Sequence, residues 1–229
     1  MAVEPAQRLA RLLSAHEAFS KPDRHSARLL LVRARRPITG TRTVLPVIGR
    51  TAHRGKPAWL HVRLPGRPNG RTGWITKSGT AHALTSWHIV VRASPRRVMV
   101  YRWSRLVRVF KAIVGKPSTP TPLGEFFVEE SVRMPADSVG APFALALSAH
   151  STVLQEFAGG PGQIAIHGLD NIGGVLGTAV SHGCVRVANS TTRWLSQRIG
   201  PGVPVQSPAE RAPPWPTSRR TVVKMGKPA

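Results

Sequence analysis

Cysteine, acidic residues and long apolar runs are scarce in this sequence of 229 residues. The single cysteine, Cys184, excludes an intramolecular disulfide, a cysteine-rich zinc finger and an iron–sulfur cluster. No acidic residue lies between Asp23 and Glu125. No stretch reaches the roughly 18 apolar residues of a membrane span. Arg8 and Arg11 interrupt the apolar residues near the N-terminus, so we expect neither a spanning helix nor a signal peptide.

Positive charge dominates where acidic residues are missing. The formal net charge is +23, and positions 24–124 hold 17 Arg and 4 Lys without one Asp or Glu. Such a field attracts nucleic acid, anionic lipid headgroups or anionic wall polymers. A GC-rich coding sequence explains abundant Arg, but it explains the missing acids less well. Charge alone therefore predicts a polyanionic partner for 24–124 without choosing among these three.

The first 86 residues divide into a helical and a β pattern. Apolar residues in 4–19 recur at roughly helical spacing, which predicts an amphipathic helix and, with the polar segment after it, an N-terminal helix and linker over 1–28. Over 29–86, short apolar runs alternate with Gly, Pro and Asn, and Asn69-Gly70 is a hairpin signal. The order WLHVRLPGRPNGRTGWI resembles bacterial SH3-like modules, so we predict a small SH3-like barrel there; an ordinary β-meander stays open.

The remainder also has a β pattern, with little helix. The runs HIVVRAS, VMVYRW and LVRVFKAIVG predict three strands joined by tight turns, and GEFFVEE, FALALSA and IAIH predict further strands. Asn189 is a good N-cap for a helix that Gly200-Pro201 would end. The Pro-rich and charged segment 207–229 is expected to be a flexible tail. The fold class is therefore mainly β, with one or two short helices and a second domain over 87–206.

The stretch AVSHGCVRV holds the chemistry-bearing residues. A thiol is mostly protonated at neutral pH, so a nucleophilic Cys184 needs a base or a positive field. His182 lies two residues before it, His167 ends the strand QIAIH, and Arg186 adds positive potential. Gly183 allows close backbone approach, and the amides of Gly183 and Cys184 point to an oxyanion hole.

Other interpretations of the same residues stay open. A lone cysteine is often a small buried apolar residue. His167, His182 and Cys184 also have the ligand types of a zinc site, which would make the protein a zinc-dependent hydrolase with water or Asp170 as fourth ligand. The third alternative is a non-enzymatic basic protein that binds wall polymers or nucleic acid.

Two segments together resemble one enzyme family. IAIHGLDNIGGVLGTAVSHGCVRV is similar to the active-site signature of the L,D-transpeptidases (YkuD family), and VGKPSTPTPLGEFFVEE, residues 114–130, resembles the Thr-Pro-x-Gly-x-Phe segment of the same family. The resemblance covers about residues 87–206. Leu169 departs from the pattern, because a small polar residue is more usual after the His-Gly pair.

The resemblance implies a reaction and a role for each residue. Family members join peptidoglycan stem peptides: a cysteine attacks the carbonyl before a terminal D-residue, releases that residue and forms a thioester, which an amine then resolves. By position, Cys184 is the nucleophile, His167 the base and the Gly168 carbonyl its orienting group. The amides of Gly183 and Cys184 form the oxyanion hole. The residues that support the site or hold substrate are Ser181, His182 and Arg186.

The resemblance also implies partners and a location. The substrates are peptidoglycan stem peptides, and no metal or organic cofactor is required. In that setting we expect the basic residues 24–124 to bind anionic wall polymers, with no specific nucleic acid as a partner. Because the substrate lies in the wall, we expect an extracytoplasmic protein of the cell wall or periplasm.

Overall fold

Two sheets account for most of the chain in a computed structural model that describes residues 3–51, 58–156 and 161–209. We call residues 3–85 the N-terminal module and residues 86–209 the C-terminal domain. The module contains β1 (Gln7–Leu12), β2 (His16–Phe19), β3 (Arg28–Val32), β4 (Val44–Thr51), β5 (Trp59–Arg63), β6 (Thr72–Thr76) and β7 (Thr80–Thr85). The domain contains β8 (Trp87–Arg92), β9 (Arg97–Arg102), β10 (Arg105–Lys111), β11 (Val114–Gly115), β12 (Gly124–Arg133), β13 (Phe143–His150), β14 (Gln163–His167), β15 (Ala179–Ser181), β16 (Val185–Arg186), α1 (Asn189–Ser196) and β17 (Pro204–Ser207). The predicted class, mainly β, is confirmed.

The predicted N-terminal helix is wrong. Residues 4–19 contain β1 and β2 instead, and β1 lies between β4 and β7, pairing antiparallel with both. Leu9 and Leu12 are three residues apart, a spacing that suits a helix face, yet both are buried in a strand. Pairing on both sides supplies tertiary contacts that override local propensity. The predicted linker is a hairpin loop between β2 and β3, closed by the hydrogen bond from Ser20 N–H to Ala27 O at 2.9 Å.

The N-terminal module is one seven-stranded sheet in the order β3-β2-β6-β5-β4-β1-β7. The module therefore begins earlier than predicted. It includes β1 and β2, which the sequence analysis had assigned to a separate helix and linker over 1–28. The predicted strands over 29–86 are present, and Asn69-Gly70 does lie in the β5–β6 connection, with Gly70 at φ +75°. The SH3-like barrel stays a prediction. The tail predicted over 207–229 falls almost wholly outside the described residues, apart from Ser207, which ends β17, and residues 208–209.

The C-terminal domain is built on an eight-stranded sheet in the order β10-β9-β8-β17-β12-β13-β14-β16, and β11 pairs with β15 beside it. The predicted late helix is present as α1, but Ala188 rather than Asn189 takes the N-cap position, and no side chain caps the helix. Buried apolar residues from β8, β9, β12 to β14 and α1 form one core cluster. The described residues contain no helix with the length and apolarity that a membrane span needs.

Strand β12 joins the two parts of the molecule. Phe127 is 1% exposed and packs with the core of the N-terminal module rather than that of its own domain. The three acidic residues of β12 face arginines of the module: Glu129 and Glu130 pair with Arg36, and Glu125 pairs with Arg63. Thr39 adds hydrogen bonds of 2.8 Å from its amide and hydroxyl to Glu130 Oε2. The acidic residues of β12 thus offset part of the module's positive charge at this interface.

Replacing Arg36 by Met is expected to destabilise the fold by about 3–5 kcal/mol, because it leaves the buried carboxylates of Glu129 and Glu130 without their cation. Arg63→Met is the matched control: Glu125 is 51% exposed, so we expect about 0–1 kcal/mol. Urea denaturation of both variants measures the free energies of unfolding. Adding Glu129→Gln and Glu130→Gln to Arg36→Met should recover much of the loss. Equal losses from the two arginine variants would contradict this account of the interface.

Candidate active site

Cys184 and His167 lie at the meeting point of two adjacent parallel strands. In the β14–β16 pair, Ile166 is opposite Val185 and His167 is opposite Arg186. The register therefore places Cys184 beside Ala165, and the Ala165 amide donates a hydrogen bond to Cys184 Sγ at 3.4 Å. Because side chains alternate between the two faces of a sheet, the thiol, the imidazole and the guanidinium share one face.

One tautomer of His167 is selected by its own backbone. The Nδ1 atom lies 2.9 Å from the Gly168 carbonyl oxygen. A carbonyl oxygen only accepts hydrogen bonds, so Nδ1 carries the proton and Nε2 keeps its lone pair. Gly140 leaves the space that the ring occupies, since a Cβ at that position would collide with the imidazole. The structure thus contains the His167–Gly168 contact that the sequence led us to expect, and it leaves Nε2 able to accept a proton.

Burial favours the neutral forms of both groups. Desolvation lowers the pKa of His167; the Gly168 carbonyl opposes this effect and Arg186 adds to it. Desolvation also raises the pKa of the Cys184 thiol, against smaller lowering effects of the Ala165 amide and Arg186. At neutral pH both directions favour a protonated Cys184 thiol and a neutral His167 imidazole.

The loop before Cys184 is closed by Ser181. The buried Ser181 hydroxyl donates to Cys184 O at 2.6 Å and accepts from the Gly183 amide at 3.2 Å. Gly183 has φ +121°, and a Cβ there would lie 2.9 Å from Ile164 Cδ1, so the position requires glycine. The Gly183 amide, predicted as an oxyanion donor, already has a partner inside its own loop. The two-amide oxyanion hole therefore stays a prediction, in which the Gly183 amide would exchange its bond to Ser181 for one to the oxyanion.

Thr121 sets the direction of the Cys184 amide. Its hydroxyl donates to Gly183 O at 2.8 Å and accepts from the Gly115 amide at 3.0 Å. In a trans peptide the carbonyl and the following N–H point in opposite directions. Fixing the Gly183 carbonyl therefore aims the Cys184 N–H away from Thr121. The family-like segment that contains Thr121 thus supports the loop that carries Cys184.

A Thr121→Val variant is expected to lower kcat about 10- to 100-fold with little change in KM, because the Cys184 amide, the predicted oxyanion donor, would lose its fixed direction. Thr119→Val is the matched control. Thr119 donates to Ser181 O at 3.2 Å, but the Lys116 amide holds the same oxygen at 2.9 Å, so the loop keeps a support. Steady-state kinetics with a peptide donor separates the two variants. A Thr121→Val enzyme as active as Thr119→Val would exclude this positioning role.

Sequence reasoning also missed a clamp on the loop after His167. Asn189 Oδ1 accepts from the Leu169 amide at 2.8 Å, and its Nδ2 donates to Asp170 Oδ1. Asn189, the residue predicted as a helix cap, therefore holds the backbone beside the His167 imidazole. The only signal for this role was the position of Asn189 shortly after the motif, which the N-cap prediction had already explained.

The remaining predicted site residues divide into two groups. Arg186 lies beside His167 and Cys184 and influences the pKa of both. His182 is exposed, in contrast to the buried His167. Within residues 3–51, 58–156 and 161–209, no three His, Cys, Asp or Glu side chains are grouped as metal ligands. The zinc site proposed from His167, His182 and Cys184 is therefore not formed, and Asp170 bonds Asn189 instead.

Comparison with known protein sequences agrees with this geometry. Residues 86–206, more than half of the chain, match the model of the L,D-transpeptidase catalytic domain, YkuD. L,D-transpeptidase 1 of Mycobacterium tuberculosis is 28% identical over 129 residues, which are 51% of this chain and 48% of that protein. A Bacillus licheniformis protein with the name YkuD is 31% identical over 119 residues, 52% of this chain and 64% of the relative. The matched region spans less than two thirds of either relative.

Solved structures that are named L,D-transpeptidases resemble the chain more distantly. A Mycobacterium smegmatis L,D-transpeptidase has 17% identity and a TM-score of 0.41, covering 72% of this chain and 99% of that one. An L,D-transpeptidase from Mycobacterium tuberculosis has 18% identity and a TM-score of 0.45, covering 71% and 98%. The family assignment rests on the sequence match.

Proposed function

Because the chain belongs to the L,D-transpeptidase catalytic-domain (YkuD) family, we propose that it is a peptidoglycan L,D-transpeptidase with Cys184 as its nucleophile. The observation that carries the proposal is the shared face of Cys184 and His167, with the imidazole held as the Nδ1–H tautomer. A thiol beside an imidazole with a free lone pair is suited to acyl transfer without a metal or organic cofactor.

Acylation starts from the neutral pair. As Cys184 Sγ bonds to the carbonyl carbon before the terminal D-residue of a stem peptide, its proton passes to His167 Nε2. The oxyanion that develops accepts from the Cys184 amide, whose direction Thr121 fixes. Collapse of the tetrahedral intermediate breaks the carbon–nitrogen bond, and Nε2 returns the proton to the leaving amine. The products are a thioester on Cys184 and a free D-amino acid.

Deacylation repeats these steps with an amine from a second stem. The amine attacks the thioester carbonyl, His167 Nε2 removes its proton, and the cysteine sulfur leaves and is reprotonated. The new amide is the L,D cross-link. A thioester is activated enough for an amine to resolve it, and the buried position of His167 limits competition by water.

Arg186 supplies a cation on the substrate side of the pair. In the described residues its Nε is buried and has no hydrogen-bond partner. A carboxylate of the stem peptide would satisfy this donor, which makes Arg186 the substrate-holding residue. Its positive charge also lowers the pKa of the Cys184 thiol, so the same side chain assists ionisation of the nucleophile.

The substrate sets the proposed location and partners. Stem peptides belong to the cell wall, so the protein acts outside the cytoplasmic membrane, in the wall or periplasm. The acid-free residues 24–124 bring positive charge to a region rich in anionic wall polymers. Binding to isolated wall material should weaken strongly as salt rises, and equal affinity for DNA would show that the charge is unspecific.

Product analysis tests the reaction. The protein is incubated with a tetrapeptide stem and a primary amine acceptor, and the products are separated and weighed by mass spectrometry. We expect free terminal D-amino acid together with the acceptor joined to the shortened stem. Hydrolysed stem without joined product would indicate a carboxypeptidase, and unchanged stem would contradict the proposed function. Activity that chelator abolishes and zinc restores would favour the hydrolase.

A further inference from the structure

Exposed apolar side chains are concentrated on the hairpin formed by β9 and β10. Among the described residues, fifteen large apolar side chains are exposed, and four of them lie within the seven residues 103–109. They are Trp103 (53% exposed), Leu106 (49%), Val107 (43%) and Val109 (48%). We call these four residues the hairpin patch. Large exposed apolar side chains grouped in so short a segment are typical of an interaction site.

The turn of this hairpin presents a tryptophan in a conformation that tryptophan disfavours. Trp103 and Ser104 have φ values of +51° and +59°, the geometry of a two-residue turn that normally contains Asn-Gly. A bulky residue at positive φ is a real outlier and points to a functional constraint. The turn is nevertheless anchored, because the Trp103 amide donates to Ser86 O at 2.9 Å. The indole is thus held outward on an ordered backbone.

Positively charged residues alternate with the patch residues along the chain. Strand β10 alone carries Arg105, Arg108 and Lys111, and Arg102 precedes the turn. No acidic residue occurs anywhere in 24–124. Strand β10 is also the outer strand of the eight-stranded sheet, so the apolar side chains and the cations lie together on an open edge.

The positive charges and the apolar side chains of the hairpin together favour one kind of binding partner. A second copy pairing along β10 would bring Arg105, Arg108 and Lys111 against their own counterparts, and like charges repel. A hydrophilic polyanion would satisfy the cations but leave Trp103 and Leu106 in water. An anionic lipid bilayer meets both demands, because indole rings settle at the headgroup level and cations bind the lipid phosphates. We propose that the β9–β10 hairpin docks this protein on the surface of an anionic lipid bilayer.

The turn of the hairpin lies far from the active site. Strand β10 starts at the turn and leads, through Ala112, to Ile113, whose amide donates to Arg186 O at 2.8 Å. At about 3.3 Å per residue, the turn and the active site lie roughly 25 Å apart, at opposite ends of the strand. A bilayer bound at the turn would therefore contact the end of β10 that is remote from the active site.

Vesicle binding tests the docking. The full chain is sedimented with vesicles of phosphatidylcholine containing about a third phosphatidylglycerol and with vesicles of phosphatidylcholine alone. We expect binding to the anionic vesicles only, weakened by salt, with indole fluorescence quenched by brominated lipid. Trp103→Asn should lower the partition coefficient about tenfold or more while keeping the fold, because asparagine suits positive φ. Arg105→Gln should lower it about fivefold.

Leu31→Asn is the matched control, because Leu31 is 50% exposed but lies on β3, outside the hairpin patch. We expect Leu31→Asn to bind anionic vesicles as tightly as the parent does. We expect Trp103→Asn to act on soluble peptides at the parental rate. Absence of vesicle binding, or binding that Trp103→Asn leaves unchanged, would overturn the proposal. Equal, Trp103-dependent binding to soluble polyphosphate would identify a polyanion site instead. A dimer in sedimentation velocity that Trp103→Asn dissociates would identify a second copy as the occupant.

Discussion

Replacing Cys184 by alanine is expected to abolish both the acyl-enzyme and the cross-linked product, with a loss on the order of 10⁶-fold in kcat, the scale of losing a nucleophile. The chain has no second cysteine that could substitute for it. Release of the terminal D-amino acid, followed by a coupled assay, measures the loss. The thiol is half-buried and contacts the Ala165 amide, so the substitution removes one weak hydrogen bond and little packing.

Cys184→Ser is the control for this result. It keeps the side-chain shape and a hydroxyl that His167 can still deprotonate, so a small residual activity above the alanine variant is expected. Thermal unfolding of both variants should stay close to the parent, which separates lost chemistry from lost structure. Turnover by Cys184→Ala at the parental rate would exclude the cysteine mechanism.

Replacing His167 by alanine is expected to lower the acylation rate by roughly 10²–10⁴, the usual cost of a missing general base. In the parent, burial lowers the pKa of His167, so the base stays neutral, and the rate persists, down to a pH below the ordinary histidine value. The variant should lose the acid-side step, which is the fall in rate that protonation of His167 causes at low pH. Its rate should instead rise with pH as the Cys184 thiol ionises. Single-turnover acylation measured against pH follows both curves.

His182→Ala is the matched control for the identity of the base. His182 is exposed and precedes the glycine of the nucleophile loop, whereas His167 shares a sheet face with the thiol. We expect His182→Ala to reduce the rate through the loop while keeping the acid-side step of the parent profile. The loss of that step in His182→Ala, with its persistence in His167→Ala, would show that His182 is the base.

The grouping of the candidate site residues was easier to predict from the sequence than the local structure of residues 4–19. The residues Ser181 to Arg186 are contiguous, so their roles depend mainly on local chemistry and on one partner, His167. Their mutual placement follows from one short strand pair. The pKa directions were not predictable, because they depend on burial, which only the packed structure determines.

The errors concern contacts between residues far apart in sequence. The apolar spacing of 4–19 fits a helix and a strand equally well, and pairing with β4 and β7 decides the outcome. Thr121 is 62 residues from Gly183, and Arg36 is more than 90 residues from Glu129 and Glu130. A single sequence contains no signal for such pairs. The family-like segment around Thr121 marked the residue but not the carbonyl that it binds.

The most direct measurement for the central claim is the intact mass of the protein during incubation with a tetrapeptide stem, followed by peptide mapping. The account predicts a mass increase equal to the stem without its terminal D-residue, located on Cys184, absent from Cys184→Ala and removed by an amine acceptor. An unmodified protein that still converts the stem, or an adduct on another residue, would contradict the account.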